Sequence, residues 1–140
     1  MGWNPYLSLR LRKDFAKPIL PLYGKNYVKA ICASKMALCF MSKLNRDTST
    51  TRCYEIPACG TLLLSERTDE LKKLYQENKE VVCFSDKEEL VQKVSMLLEQ
   101  PEKRRAIASA GHKRCLSSGY DVVSRIRVWD DIVCKKLNIK

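Results

Sequence analysis

Between positions 42 and 55 the sequence reads SKLNRDTSTTRCYE, which crowds hydroxyls, cations and carboxylates into one stretch. Lys43, Arg46 and Arg52 can neutralise an anion, Ser42, Thr50 and Thr51 can donate hydrogen bonds, and Asp47 and Glu55 can accept them. That set could hold a charged small ligand. The same residues also have a plainer account, with Asp47 and the Ser/Thr cluster capping a helix, Arg52 and Glu55 forming an exposed ion pair, and Tyr54 packing. On residue types alone the plainer account is the stronger.

Position in the chain gives the stretch more meaning. An apolar run at 36–41 precedes it, and a helix over about 51–58, a stop at Gly60 and a second apolar run at 61–64 follow. In such a strand-loop-helix-strand unit the loop and the first helical turn face one crevice, where helix amides favour anions. The run at 36–41 is unbroken, as in a strand buried on both faces, and it should lie in the middle of a sheet.

Downstream, Thr68 can cap a helix that turns Leu71, Leu74 and Tyr75 inward, and 81–84 reads as a third strand. Ser85 with Glu88, and Asp86 with Glu89, have capping-box spacing before a stripe of Leu90, Val91, Val94, Leu97 and Leu98. Pro101 opens another helix with a narrow apolar face at Ile107, Ala108, Ala110 and Cys115, closed by Ser118-Gly119-Tyr120. A last helix over about 122–137 places Val122, Ile126, Trp129 and Val133 on one face, with Trp129 as a core anchor. A short amphipathic helix from Tyr27 to about Ser34 precedes the first strand, and Leu7, Leu9 and Leu11 alternate as in a short strand. Pro5, Pro18, Pro21 and Gly24 make residues 1–26 an irregular arm before a domain over 27–140. Strands alternating with helices predict an α/β three-layer sandwich on a short parallel sheet, half of a Rossmann-like domain, with a helical C-terminus.

Composition narrows the function classes. No apolar run reaches the roughly 20 residues of a membrane-spanning helix, and a cytoplasmic location is expected. Seven cysteines without Cys-x-x-Cys spacing, and one histidine, His112, fit buried thiols better than a zinc set or a disulfide framework. The net charge is +10, and the first fifty residues hold nine Lys and Arg against two Asp. Such a field suits an anionic partner. One alternative is therefore a non-catalytic basic α/β module that binds nucleic acid or another polyanion, although basic and aromatic residues do not interleave and nucleic acid is disfavoured. Another is an interaction domain without a ligand. Lys103-Arg104-Arg105 and Lys113-Arg114 read as solvated helix faces.

The run Thr51-Arg52-Cys53-Tyr54-Glu55-Ile56-Pro57-Ala58-Cys59-Gly60 carries a resemblance, together with Tyr27-Val28-Lys29-Ala30-Ile31, Ala33-Ser34-Lys35-Met36-Ala37-Leu38, Asn45-Arg46-Asp47, Glu66-Arg67-Thr68-Asp69-Glu70, Asp86-Lys87-Glu88-Glu89-Leu90 and Ala110-Gly111-His112-Lys113-Arg114. Residues 27–120 resemble the C-terminal part of the spore-maturation-protein (CgeB-like) glycosyltransferases, which have the two-domain GT-B architecture and fall with the group 1 glycosyl transferases. The resemblance implies transfer of a sugar from a nucleoside diphosphate to an acceptor, with Glu55 on the ribose hydroxyls. A second acid, eight residues earlier, would touch the sugar; Asp47 stands there, one methylene shorter than the commoner Glu. A carboxylate can accept from two vicinal hydroxyls, amides around Thr50, Thr51 and Arg52 can cradle a diphosphate, and Lys43, Arg46 or Arg52 can neutralise it with no cofactor and no metal required. The donor-site set is thus Ser42, Lys43, Arg46, Thr50, Thr51, Arg52 and Glu55, with Asp47 as the catalytic candidate. The nucleotide-sugar is the expected partner. The resemblance further implies an N-terminal acceptor domain outside this sequence, so that the chain is a fragment or a truncated product doubtful as a catalyst alone. That domain, another chain or self-association would then cover an exposed sheet edge.

Overall fold

The computed structural model describes residues 21–137. In chain order the elements are α1 (Gly24–Ala33), β1 (Met36–Cys39), α2 (Arg52–Ala58), β2 (Leu62–Glu66), α3 (Asp69–Leu74), β3 (Val82–Phe84), α4 (Lys87–Glu99), α5 (Pro101–Ser117) and α6 (Val122–Leu137). Helix α1 opens at Gly24, where φ is +52°, before the expected end of the arm at residue 26. The strand suggested by Leu7, Leu9 and Leu11 lies outside the described residues.

The three strands form one parallel sheet in the order β1-β2-β3, with Ala37 beside Leu63 and Ser65 beside Cys83. Two successive right-handed crossovers in one direction put their helices, α2 and α3, on the same face of the sheet. Side chains alternate along the strands and divide the core accordingly. Leu63, Val81 and Cys83 pack with Ile56, Leu71 and Tyr75 on the first face. Leu62, Leu64, Val82 and Phe84 pack with Leu97 and Ile107 from α4 and α5 on the second. The result is the expected α/β sandwich, built on three parallel strands and consistent with part of a Rossmann-like domain.

Side-chain caps fix the starts of α3 and α4 where the sequence places them. The Thr68 hydroxyl accepts from the Leu71 amide at 3.1 Å, and the Asp86 carboxylate accepts from the Glu89 amide at 2.7 Å. Gly60, at φ +73°, ends α2 and donates to the Pro57 carbonyl at 2.9 Å, a conformation that suits glycine. Helix α5 passes from the second face to α2, where His112 Nδ1 lies 2.9 Å from the Pro57 carbonyl oxygen and Cys115 donates to the Tyr54 carbonyl. A carbonyl only accepts, so His112 carries its proton on Nδ1.

Three expectations change. Strand β1 lies at the sheet edge and not in the middle, and Leu38 and Phe40 are about half exposed, because no described strand pairs with its outer side. Trp129 is 71% exposed and no residue of α6 is buried, so it anchors no core within the described residues. Arg104 is only 8% exposed and is not part of a solvated face. Among the described residues no helix is long and apolar enough to cross a membrane.

Candidate functional site

The loop leaving β1 is held at several points by its own residues, by the end of β2 and by the start of α3. Glu66, at the end of β2, accepts from the Met41 amide at 2.7 Å. Ser42 and Asp47 close the loop on itself: the Ser42 amide donates to Asp47 Oδ2 at 3.2 Å, and the Asp47 amide donates back to the Ser42 carbonyl at 3.0 Å. Arg46 completes that turn at φ +52°. Thr68 then donates its hydroxyl to the Thr48 carbonyl at 2.7 Å, tying the loop to the start of α3. The sequence proposes Ser42 and Asp47 for ligand contact; the fold gives Ser42 N and Asp47 Oδ2 a share in shaping the loop.

With its ends fixed, the loop turns Lys43 and Arg46 outward, and both are exposed. Neither has a carboxylate within ion-pair range among the described residues. Two exposed cations on a braced loop can meet an anion without first leaving another partner, which lowers the cost of ordering.

Thr50 and Thr51 depart from their expected capping role. Thr51 has helical backbone angles and makes no side-chain cap, and the Thr50 hydroxyl lies 3.4 Å from Cys39 Sγ and 4.0 Å from Cys53 Sγ. The first turn is instead closed by backbone bonds from Cys53 to Thr50 and from Tyr54 to Thr51, both 3.0 Å. The amides of Thr50, Thr51 and Arg52 have no protein acceptor among the described residues. Cys39 and Cys53 are fully buried beneath them. Their mutual hydrogen bond, then burial, push the Cys53 thiol up and keep it protonated.

Glu55 lies one turn into α2 on its exposed side. Its Oε2 accepts from the Tyr27 hydroxyl of α1 at 3.0 Å. Partial burial first, then the Glu55 carboxylate, raise Tyr27, so the phenol stays a donor. Arg52 is exposed one turn before Glu55, yet among the described residues the two make no ion pair. Glu55 Oε1 therefore stays available to a ligand, and the Arg52 guanidinium lies near the Tyr27 hydroxyl, where its charge partly offsets the upward shift. Sequence reasoning gave Tyr27 no role in the site, since 28 positions separate it from Glu55 and only the packing of α1 beside α2 joins them.

Arg67, beside the site at the end of β2, has a structural task. It donates to Glu77 at 2.7 Å, to Glu89 at 2.8 Å and to the Ser85 hydroxyl, and Lys93 reaches Glu89 at 2.7 Å. Arg67, then Lys93 and the Ser85 amide, hold the Glu89 carboxyl down at about 2, and Arg67 also lowers Glu77. Among the described residues no group of three or more His, Cys, Asp or Glu is arranged to hold a metal ion.

A family model described as glycosyl transferase-like matches residues 12–131, a span that includes the loop, α2 and the Arg67 cluster. No curated protein and no solved structure matches the chain.

Proposed function

Because the chain belongs to the glycosyl transferase-like family, we propose that residues 42–55 form the donor site of a GT-B-type enzyme of the spore-maturation-protein (CgeB-like) branch, which takes a sugar from a nucleoside diphosphate. The observation that carries this reading is the disposition of α2. Glu55 has one oxygen oriented by Tyr27 and the other without a partner among the described residues, where Arg52 stands on the same helix without pairing to it. A carboxylate so placed can accept from the two vicinal hydroxyls of a ribose. Arg52, Lys43 and Arg46 then meet the diphosphate and stabilise the charge that develops on it as the glycosidic bond breaks. On this reading the three cations take the part that a divalent metal plays elsewhere. Asp47, with Oδ2 engaged by the Ser42 amide, shapes the loop and contacts the sugar only through Oδ1. The acceptor wall comes from another domain or chain, for which the open edge of β1 is a natural attachment. A cytoplasmic location, where nucleotide-sugars are made, fits this reading.

An amide-resolved NMR titration with UDP, GDP, ADP and their sugar conjugates tests the reading. Saturable shifts are expected in residues 42–55, in Tyr27 and in Glu66, and no saturable shift with any of these nucleotides would overturn it. Glu55→Ala is expected to weaken the bound nucleotide about tenfold to a hundredfold, the range of one or two hydrogen bonds to a charged group, with the amide spectrum otherwise folded.

A further inference from the structure

At the N-terminal ends of β1 and β2, at the opposite end of the strands from the loop, lies a cavity of about 390 Å³. The turn from α1 into β1, the start of β2 and the outer half of α5 make its walls. Its charged lining is Lys35, Arg104 and Arg105, with no Asp or Glu among the residues of the wall.

Arg104 is the member that needs explaining. The side chain is buried to 8% exposure, and a guanidinium cannot shed its charge to suit such a place. Its Nη1 donates to the Leu97 carbonyl at 2.7 Å, which fixes the group at the end of α4. No carboxylate lies within ion-pair range of it among the described residues, and a buried charge without a counter-charge is strongly unfavourable. Among the described residues the buried side-chain atoms left without a partner are Ser65 Oγ and Tyr75 Oη, and no Arg104 nitrogen is among them. Its remaining N–H groups are therefore not sealed in the core, and Arg104 is one of the residues that line the cavity. Arg105 is partly neutralised by Glu102 at 3.1 Å, whereas Lys35 has no carboxylate partner among the described residues.

We propose that this cavity binds a small molecule through a phosphate or diphosphate group, with Arg104 as the buried contact and Lys35 and Arg105 at the rim. A planar guanidinium with free parallel N–H groups matches two phosphate oxygens, and the flexible rim cations add charge without fixing geometry. The volume lies in the range that admits an organic body beyond the phosphate itself, and Leu62 and Ala108 give that body an apolar wall. The site is separate from the donor loop and does not depend on the reading given to it.

Titration of the ¹⁵N-labelled chain with inorganic phosphate, and separately with pyrophosphate, at ionic strength held constant with sodium chloride, tests the proposal. Saturable shifts are expected at Lys35, Thr61 and Ser109, with a midpoint of their own whether or not residues 42–55 also respond. Lys35→Gln combined with Arg105→Gln changes two exposed side chains and is expected to weaken phosphate at least fivefold. Arg104→Met is expected to abolish saturation; should that variant fail to fold, the double variant decides. Shifts that grow linearly without saturation, shifts confined to residues 42–55, or undiminished affinity in the double variant would each overturn the proposal.

Discussion

Arg67 holds two acids and a serine from three later segments, and that makes Glu89 a sensor of acid. Its carboxyl titrates at about 2 in the folded chain against an ordinary 4.5. A depressed folded value stabilises the fold above the unfolded one, and the contribution is lost as pH falls through the interval between them. Urea midpoints are expected to drop from about pH 4.5 toward 2, and Glu89→Gln should flatten that part of the profile while lowering the midpoint at pH 7; an unchanged slope would remove Glu89 from the cluster's energetics. The individual members, Arg67, Ser85 and Glu89, are visible in the sequence as a charged turn and a capping box. Their convergence is not, because 22 positions separate Arg67 from Glu89. Glu55 is similar: its type and helical position were legible, whereas its Tyr27 partner and its lack of an ion pair with Arg52 depended on how α1 lies.

At the scale of elements, Gly111 decides how α5 crosses beneath the sheet. A Cβ there would fall inside contact distance of the Glu80 carbonyl oxygen, a backbone atom that cannot swing away. Gly111→Ala is therefore expected to destabilise the chain by about 1–3 kcal/mol, the usual cost of overpacking, despite the better helix propensity of alanine. Chemical denaturation measures it, and a gain in stability would show that α5 has room to move. Helix α6 makes the opposite point. Its apolar spacing was read correctly, but period alone names a face and not what covers it. With Trp129 71% exposed, a Trp3→Phe variant should show red-shifted emission that acrylamide quenches nearly as well as free tryptophan; a blue-shifted, protected emission would mean that α6 packs against a partner.

Across the whole molecule, local pattern and long-range packing divided the work cleanly. Alternation of β1, β2 and β3 with helices, the caps at Thr68 and Asp86, and the stop at Gly60 rest on interactions within a few residues, so the sequence by itself determined the α/β class and the order of elements. The glycosyl transferase-like family was legible for a related reason, since the run at 51–60 on which the resemblance was read is continuous in the chain. Only tertiary structure decided that β1 lies at the edge, because the hydrophobicity of a strand does not record which strands lie beside it. It also decided that Arg104, one of three adjacent basic residues on α5, turns inward while Lys103 and Arg105 stay exposed. A run of like charges carries no mark of which member the neighbouring helix will bury, and that selection comes from the close packing of α5 on the end of α4 and the start of β2.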